Sequence, residues 1–355
     1  MERRTIGAGA LEVGAIGLGC MPLSCGYPTT APRGRESAVR AVHAALDQGS
    51  TLLDTADAYG PFTNELLIGR ALRERPREDA VLSTKCGLLI GESHVVANGR
   101  PSYVRRACDA SLRRLGTDTI DLYQLHRVDP EVPVEETWGA MSELVGAGKV
   151  RALGLSAVGA HTLRPADRAA GRSPVPRRPR GDADRAPRGD GAYRGTLRVL
   201  ERVQQVFPVS AVQVELSVWA RDALTGLLPW CAARGVGLLA AMPLGHGFLT
   251  GTLTVGGGFT EDDVRARHPR FTAEMMAANQ PIVAGLRRVA TRHGAASCAQ
   301  VALAWLLAQH PGVVPVPGTK HAEWAVQNAR AAELRLTAED LAEIRSLPEP
   351  QESWE

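Results

Sequence analysis

The stretch Thr51–Leu72, "TLLDTADAYGPFTNELLIGRAL", joins a short apolar run to an amphipathic one, which predicts a buried strand leading into a helix. Two carboxylates and a phenol, those of Asp54, Asp57 and Tyr59, fall within six residues at this junction. Taken alone, the junction is explained by Asp57 capping a turn and Tyr59 filling a gap in the packing. The alternative is that these side chains take part in catalysis, and the pattern of the remaining chain distinguishes the two interpretations.

The same strand-to-helix pattern occurs eight times along the chain. The pairs begin with "AIGLGC" and "RESAVRAVHAALDQG", the seventh joins "VGLLAAMP" to "PIVAGLRRVATRHG", and the eighth joins "GVVPVPG" to "HAEWAVQNARAAEL". Apolar strands separated by amphipathic helices are typical of a parallel sheet covered on both faces, and eight such units predict a (β/α)8 TIM barrel. A doubly wound sheet is the alternative, but no early helix opens with the G-x-G-x-x-G turn of a dinucleotide fold.

Two further elements are predicted at the ends of the pattern. The opening "RTIGAGALEVG" is typical of a small hairpin, which we expect to cap the bottom of the barrel. The last amphipathic stretch, "TAEDLAEIRSL", predicts an extra C-terminal helix in which Thr337 and Asp340 form a capping-box-like start.

Composition indicates one soluble domain over residues 1–355. The chain is 44% hydrophobic and 22% charged, without a recognisable signal peptide or the roughly 18-residue apolar run of a spanning helix. Its six cysteines have no C-x-x-C spacing, which favours free thiols in a reducing compartment over a disulfide framework or a metal site. We therefore expect a cytoplasmic protein that does not bind membranes.

The segment 164–196 interrupts the pattern after the fifth strand. It contains nine Arg, four Asp, five Pro and five Gly, and almost no large apolar residues, which predicts a disordered insert within the barrel domain. The tripeptide "TLR" occurs at Thr162 and again at Thr196, so the following helix is expected to restart at the second copy. The insert carries a charge of +5; with a total of +3, the remainder carries −2, which argues against a nucleic-acid partner for the folded part.

Four polar residues are predicted to meet at the carboxyl ends of adjacent strands: Asp54 and Tyr59 after the second, Lys85 on the third and His126 on the fourth. In a barrel this is the face that carries chemistry. A Lys ammonium held by a carboxylate lowers the pKa of a nearby phenol, so Tyr59 would serve as general acid while His126 polarises a carbonyl. The set suits carbonyl reduction, with the hydride supplied by a cofactor because no metal-ligand spacing or nucleophile elbow is present.

The chain resembles the aldo-keto reductase family nearly end to end, apart from the insert. The resemblance rests on "GLGCMPLS", "DTADAYG", "TKCG", "SLRRLGTDTIDLYQLHRVDP", "LVGAGKVRALGLS", "AVQVELSVWARD", "PLGHGFLTG" and "VPVPGTK". It implies a barrel that reduces aldehydes and ketones with NADPH through a tetrad of Asp54, Tyr59, Lys85 and His126, and it leaves Asp57 as a turn residue. We expect a small-molecule carbonyl substrate and a monomer or small homo-oligomer.

The resemblance also implies the cofactor contacts. Ser156 and Gln213 would hold the carboxamide, Gly19 and Met21 would lie near the nicotinamide ribose, and Lys320 would meet a 2′-phosphate. The other implied cofactor residues are Asp54, Leu244, Gly245, Gly247, Gly318, Thr319, Gln327 and Asn328. Candidate substrate-binding residues, most of them on loops at the catalytic face, are Met21, Tyr27, Tyr59, Phe62, His126 and Trp219.

Some residues depart from the family pattern. Ala241 replaces an aromatic residue that would stack on the nicotinamide, His246 stands where an arginine is usual, and Trp324 stands near a second phosphate-binding position. Ala157 follows Ser156 in place of an amide or acid. Two alternatives stay open: a cofactor-binding regulatory or channel-associated subunit with little turnover, and a lyase or isomerase in which Lys85 forms a Schiff base.

Overall fold

The computed structural model describes residues 1–27, 35–91, 95–157, 193–294 and 296–351. The strands are β1 (Arg3–Ile6), β2 (Leu11–Gly14), β3 (Leu18–Gly19), β4 (Leu52–Asp54), β5 (Val81–Cys86), β6 (Leu88–Ile90), β7 (Val95–Ala97), β8 (Ile120–Leu125), β9 (Val150–Ser156), β10 (Ala211–Glu215), β11 (Gly237–Ala241) and β12 (Val313–Pro315). The helices are α1 (Arg35–Asp47), α2 (Thr63–Leu72), α3 (Pro101–Leu115), α4 (Val134–Gly146), α5 (Arg194–Gln204), α6 (Asp222–Gly226), α7 (Leu228–Ala232), α8 (Ala273–Ala278), α9 (Gln280–Arg292), α10 (Cys298–Leu307), α11 (Ala322–Arg330) and α12 (Ala338–Arg345).

Eight parallel strands form one sheet in the order β12-β11-β10-β9-β8-β5-β4-β3. The first and last strands meet through a parallel bridge between Gly19 and Gly318, supported by the Gly17 N–H donating to the Pro315 carbonyl over 2.9 Å. This bridge closes the sheet, so the predicted TIM barrel is confirmed.

Glycines are required where the barrel closes because the backbones approach closely. A Cβ on Gly19 would lie 2.7 Å from the Val316 carbonyl oxygen, and one on Gly318 would lie 2.8 Å from the Pro22 ring. Any larger residue at either position would push the first and last strands apart.

The N-terminal hairpin covers the end of the barrel at which the strands begin. Strands β1 and β2 pair antiparallel, and Ile6 packs so tightly on Gly237, the first residue of β11, that a Cβ there would lie 2.5 Å from it. Ile6, Leu11 and Val13 are fully buried in one cluster with the interior residues Leu122 and Leu239. The predicted cap on the bottom of the barrel is thus confirmed.

The predicted C-terminal helix α12 and its capping box are confirmed, because the Thr337 hydroxyl accepts from the Asp340 N–H while the Asp340 carboxylate accepts from the Thr337 N–H.

Helix α10 was missing from the predicted pattern. Its residues are buried almost throughout, so it lacks the polar face on which an amphipathic assignment depends.

The predicted insert 164–196 lies outside the described residues up to 192, and its last residues are folded. Helix α5 begins at Arg194, two residues before the expected restart at Thr196. Tyr193 and Thr196 are buried, and Thr196 shares the inward face of α5 with Leu200 and Val203. The helix therefore starts two residues earlier than the repeated tripeptide indicates, directly after the buried Tyr193.

All six cysteines are free, with only Cys25 partly exposed. Within the described ranges, no helix is both long enough and apolar enough to cross a lipid bilayer.

Candidate active site

The barrel brings the four predicted reactive residues to its carboxyl-end mouth. Asp54 is the last residue of β4, Lys85 precedes the last residue of β5, and His126 directly follows β8. The His126 N–H donates to the Cys86 carbonyl over 2.7 Å, which extends the ladder between β5 and β8. Tyr59 lies in the turn between β4 and α2.

The Lys85 side chain is fully buried at the centre of this group. Its Nζ donates to Oδ2 of Asp54 over 2.7 Å, to the Thr55 carbonyl over 2.8 Å and to the Tyr59 hydroxyl over 3.4 Å. Burial by itself would lower the pKa of Lys85, but Asp54 and Tyr59 raise it above its ordinary value. An amine held as an ammonium ion has no electron pair for a Schiff base, which argues against the covalent alternative.

Asp54 is held in place by side chains from several strands. Its Oδ1 accepts from the Ser83 hydroxyl over 2.9 Å and from Gln124 Nε2 over 3.1 Å. Its Oδ2 accepts from Gln213 over 2.8 Å as well as from Lys85. These donors fix the carboxylate and, through it, the position of the ammonium. Ser83 and Gln124 were not predicted, although both lie on barrel strands beside Asp54 and are polar within apolar runs.

Tyr59 is partly buried and stays protonated at neutral pH. Burial raises the pKa of Tyr59, and Lys85 opposes that rise without reversing it. The expected local effect of Lys85 is present, yet the net direction differs from the prediction because desolvation of the phenolate is the larger effect. A neutral phenol is the form that can donate a proton.

His126 lies beside the phenol as a neutral imidazole. Its ring meets the Tyr59 ring edge-on, with 5.8 Å between centroids and 85° between planes. Burial lowers the pKa of His126 well below its ordinary value, and the positive charges of Lys85 and Arg127 lower it further. A neutral imidazole keeps one N–H, which is able to donate to an oxygen held next to Tyr59.

The residues expected near a nicotinamide ring lie around the same mouth. Ser156 ends β9, and its hydroxyl is buried with no hydrogen-bond partner among the described residues. Gln213 lies on the neighbouring β10 and donates to Asp54. An unpaired buried hydroxyl and an amide with a remaining acceptor fit a bound carboxamide, which has both a donor and an acceptor.

The loop after β11 is shaped for close approach. Gly245, His246 and Gly247 all have left-handed backbones, with φ of 53°, 53° and 94°. A Cβ on Gly245 would lie 2.7 Å from the Trp219 ring. Leu244 precedes the turn, and its carbonyl accepts from the Gly247 N–H over 3.0 Å. A larger residue at position 245 would displace the loop or the tryptophan beneath it.

The residues expected at the adenosine end follow β12. The Lys320 ammonium donates to the Tyr27 carbonyl, and the Thr319 hydroxyl accepts from the His321 N–H over 3.1 Å. On α11, Gln327 is exposed and Asn328 is buried. Trp324 is exposed and stacks on His321 with 3.8 Å between ring centroids.

The candidate substrate residues do not all lie together. Tyr59 and His126 lie together, and Met21 opens a short 3₁₀ helix that follows β3. Tyr27 instead contacts the loop after β11, where its hydroxyl meets Nδ1 of His246. Phe62 is half-exposed at the start of α2 under the Arg114 guanidinium.

Trp219 is enclosed and does not reach an open pocket. It is 1% exposed and stacks on Phe248 with 4.3 Å between centroids, while the Arg270 guanidinium covers it at 5.0 Å. Arg270 also donates to Glu215, the last residue of β10, over 2.7 Å. This buried ion pair was not predicted, although an acidic residue ending the apolar run "AVQVE" is a visible signal.

The chain is similar to known proteins in both sequence and fold. A sequence model of the Aldo/keto reductase family matches residues 15–175 and 194–349. A protein of Glycine max named probable aldo-keto reductase 1 is 36% identical over 340 residues, covering 96% of this chain and 86% of that protein. The glycerol dehydrogenase of Gluconobacter oxydans superposes with a TM-score of 0.76 at 27% identity, covering 97% of this chain and 94% of the other. An aldo/keto reductase from Klebsiella pneumoniae, solved with NADP and acetate, gives a TM-score of 0.66 at 28% identity, covering 99% and 98%.

Proposed function

The chain belongs to the aldo/keto reductase family, and we propose that it reduces an aldehyde or ketone to an alcohol with NADPH, with Tyr59 as proton donor. The observation that carries the proposal is the contact of one buried ammonium, Lys85 Nζ, with both Oδ2 of Asp54 and the hydroxyl of Tyr59. A relative from Klebsiella pneumoniae was solved with NADP, which supports the choice of cofactor.

The residues divide the reaction between them. The reduced nicotinamide cofactor, when bound, supplies a hydride to the carbonyl carbon. The neutral His126 donates a hydrogen bond to the carbonyl oxygen and holds it beside Tyr59. Tyr59 passes its hydroxyl proton to that oxygen, and the Lys85 ammonium stabilises the phenolate that remains. Asp54 keeps the ammonium at this position throughout.

The cofactor contacts are part of the same proposal. Ser156 and Gln213 would bind the carboxamide, since one hydroxyl is unpaired and the amide keeps its oxygen as an acceptor. The backbone around Gly245 and Gly247 would accommodate the pyrophosphate, and Lys320 would exchange its bond to the Tyr27 carbonyl for the 2′-phosphate.

The test combines turnover with binding. Purified wild type, Tyr59→Phe and the matched control Tyr103→Phe are mixed with NADPH and a panel of aldehydes, ketones and sugar ketones. Tyr103 controls for loss of a phenol because its hydroxyl contacts Asp57 and not Lys85. We expect Tyr59→Phe to lose about 10²–10⁴-fold in kcat because the general acid is removed, while the Kd for NADPH changes little and Tyr103→Phe resembles wild type.

Two other outcomes would contradict the proposal, one concerning the role of Tyr59 and one concerning the activity of the protein. Equal loss of turnover and NADPH binding in Tyr59→Phe would make Tyr59 a binding residue. Tight NADPH binding by wild type without turnover of any carbonyl would favour the regulatory or channel-associated subunit instead.

A further inference from the structure

Four exposed aliphatic side chains are concentrated in one hairpin that follows the catalytic lysine. Strands β6 and β7 pair antiparallel, and Leu89, Ile90, Val95 and Val96 are 37%, 46%, 61% and 46% exposed. They account for four of the ten large hydrophobic residues that are exposed in the described part of the chain. A concentration of this kind marks a surface that binds something apolar.

The hairpin rises from the rim of the barrel mouth. It begins at Gly87, directly after β5 and two residues after Lys85. Its base is closed by the Asn98 N–H, which donates to the Gly87 carbonyl over 3.1 Å. A Cβ on Gly87 would lie 2.9 Å from Leu125 and 3.5 Å from the Arg127 carbonyl oxygen. The hairpin base therefore packs on the residues that flank His126.

Both faces of this ribbon are apolar. Leu89 is paired with Val96 on one face, and Ile90 is paired with Val95 on the other. The residues 87–91 and 95–97 include no charged or hydroxyl side chain, so their side chains offer no hydrogen bond to a sugar or a phosphate. A two-stranded ribbon with exposed apolar faces is only marginally stable in water, and covering one face with hydrocarbon would stabilise it.

We propose that β6 and β7 form the apolar wall of the substrate site and that the preferred carbonyl substrates carry a hydrocarbon chain of several carbons. This inference rests on the proposed reductase activity. The occupant is the apolar part of the substrate, because the hairpin is continuous with the strand that carries Lys85 and touches the segment that carries His126. The glycerol dehydrogenase from Gluconobacter oxydans is named for a small polar substrate, so this chain would differ from that relative in specificity.

The test is a chain-length series. Wild type is assayed with glyceraldehyde, butanal, hexanal and octanal in the presence of NADPH. We expect kcat/KM to rise with length, by up to about fourfold for each methylene group that becomes buried. The double variant Ile90→Thr/Val96→Thr alters both faces and keeps the β-branched shape that strands favour. We expect it to lose about tenfold in kcat/KM for octanal and less than twofold for glyceraldehyde, a difference that two polar substitutions in an apolar wall can supply.

A matched control separates this effect from a general loss of surface aliphatics. Val206→Thr replaces a valine by threonine elsewhere on the surface. Val206 is 40% exposed and follows the C-terminal end of α5. We expect Val206→Thr to keep the wild-type dependence on chain length. An unchanged Kd for NADPH in the double variant checks that the barrel is intact.

Four results would overturn the inference. Wild type that reduces octanal and glyceraldehyde equally well would keep the proposed function and lose the apolar wall. Equal losses for all aldehydes in the double variant would make the hairpin structural. The third result is found by sedimentation velocity: wild type is a dimer, the double variant is a monomer, and the chain-length selectivity is unchanged. That result would show that a second copy of the chain covers the hairpin. A protein that reduces no carbonyl would lose both the function and the inference.

Discussion

Gln213 donates from Nε2 to Oδ2 of Asp54 over 2.8 Å, across the barrel mouth from β10 to β4. The same oxygen accepts the Lys85 ammonium. The amide expected to bind the cofactor thus also holds the Asp54 carboxylate, and this hydrogen bond fixes the orientation of the amide. Because an amide has both a donor and an acceptor, this bond leaves the Gln213 oxygen for the carboxamide NH₂ group.

Replacing Gln213 by leucine is therefore expected to weaken cofactor binding. We predict a rise of about fivefold to thirtyfold in the Kd for NADPH, equivalent to the loss of about 1–2 kcal/mol for one hydrogen bond. Fluorescence titration with NADPH measures it. The control is Gln309→Leu, whose amide donates to the Trp305 carbonyl at the end of α10. A Kd that is the same in Gln213→Leu and wild type would contradict the assigned role.

Lys320→Ala is expected to narrow the preference for NADPH over NADH. A charge-assisted hydrogen bond to phosphate contributes about 1.5–3 kcal/mol, so the Kd for NADPH should rise by tenfold or more while that for NADH changes little. Lys149→Ala removes a lysine that pairs with Asp109 and serves as the control. Wild type that binds NADH as tightly as NADPH would show that the 2′-phosphate contact is wrong.

Asp57→Asn is expected to stabilise the protein at alkaline pH. Asp57 is 2% exposed, one of its oxygens has no partner among the described residues, and burial together with Glu65 raises its pKa to about 7. A raised folded-state pKa means that the stability contributed by the protonated form is complete below about pH 4 and is lost as the pH rises to about 7. Asparagine cannot ionise, so it avoids that loss.

Urea denaturation at pH 5 and pH 8 measures the effect. We expect the free energy of unfolding of Asp57→Asn to exceed that of wild type by about 1–4 kcal/mol at pH 8, and by less at pH 5. Asp109→Asn, an exposed carboxylate paired with Lys149, controls for a simple loss of charge. A variant that is less stable than wild type at pH 8 would show that the ionised carboxylate is favourable in the folded protein.

Removal of residues 164–192 is expected to leave catalysis and stability nearly unchanged. Closing a loop of this length costs only about 1–2 kcal/mol more than a short connection, because each doubling adds roughly 0.6 kcal/mol. The deletion must retain Tyr193 and Thr196, since both are buried, Tyr193 directly before α5 and Thr196 within it. Steady-state kinetics and a thermal melt decide the outcome. A tenfold loss of kcat/KM in a folded variant would identify the segment as a lid over the site.

The eight-unit barrel and the meeting of Asp54, Lys85 and His126 were predictable because each depends on a local pattern: a polar residue at the end of an apolar run. Strand ends in a parallel barrel share one face, so position along the strand is enough to place these side chains together. The capping box of α12 was predictable for the same reason, since Thr337 and Asp340 are three residues apart.

Features that depend on distant residues were not predictable. Trp219 was expected on a pocket wall, but Phe248 and Arg270 from the excursion after β11 enclose it. The net direction of the Tyr59 pKa shift depends on how fully the barrel mouth desolvates the ring, which no spacing in the sequence reports.

Helix α10 was missed although a local signal was present. The stretch "SCAQ" is a capping-box sequence, so Ser297 and Gln300 could have marked the start of this helix.

The bridge between Gly19 and Gly318 has a consequence for synthesis on the ribosome. Gly318 follows Gly19 by 299 residues (318 − 19), so the first and last strands of the barrel can be joined only after that length of chain has been translated. At about 5–20 residues per second, the nascent first strand waits about 15–60 s for its partner. An unpaired edge invites association with other chains during that interval. Strand β3 has only two residues, so it offers them little backbone to pair with.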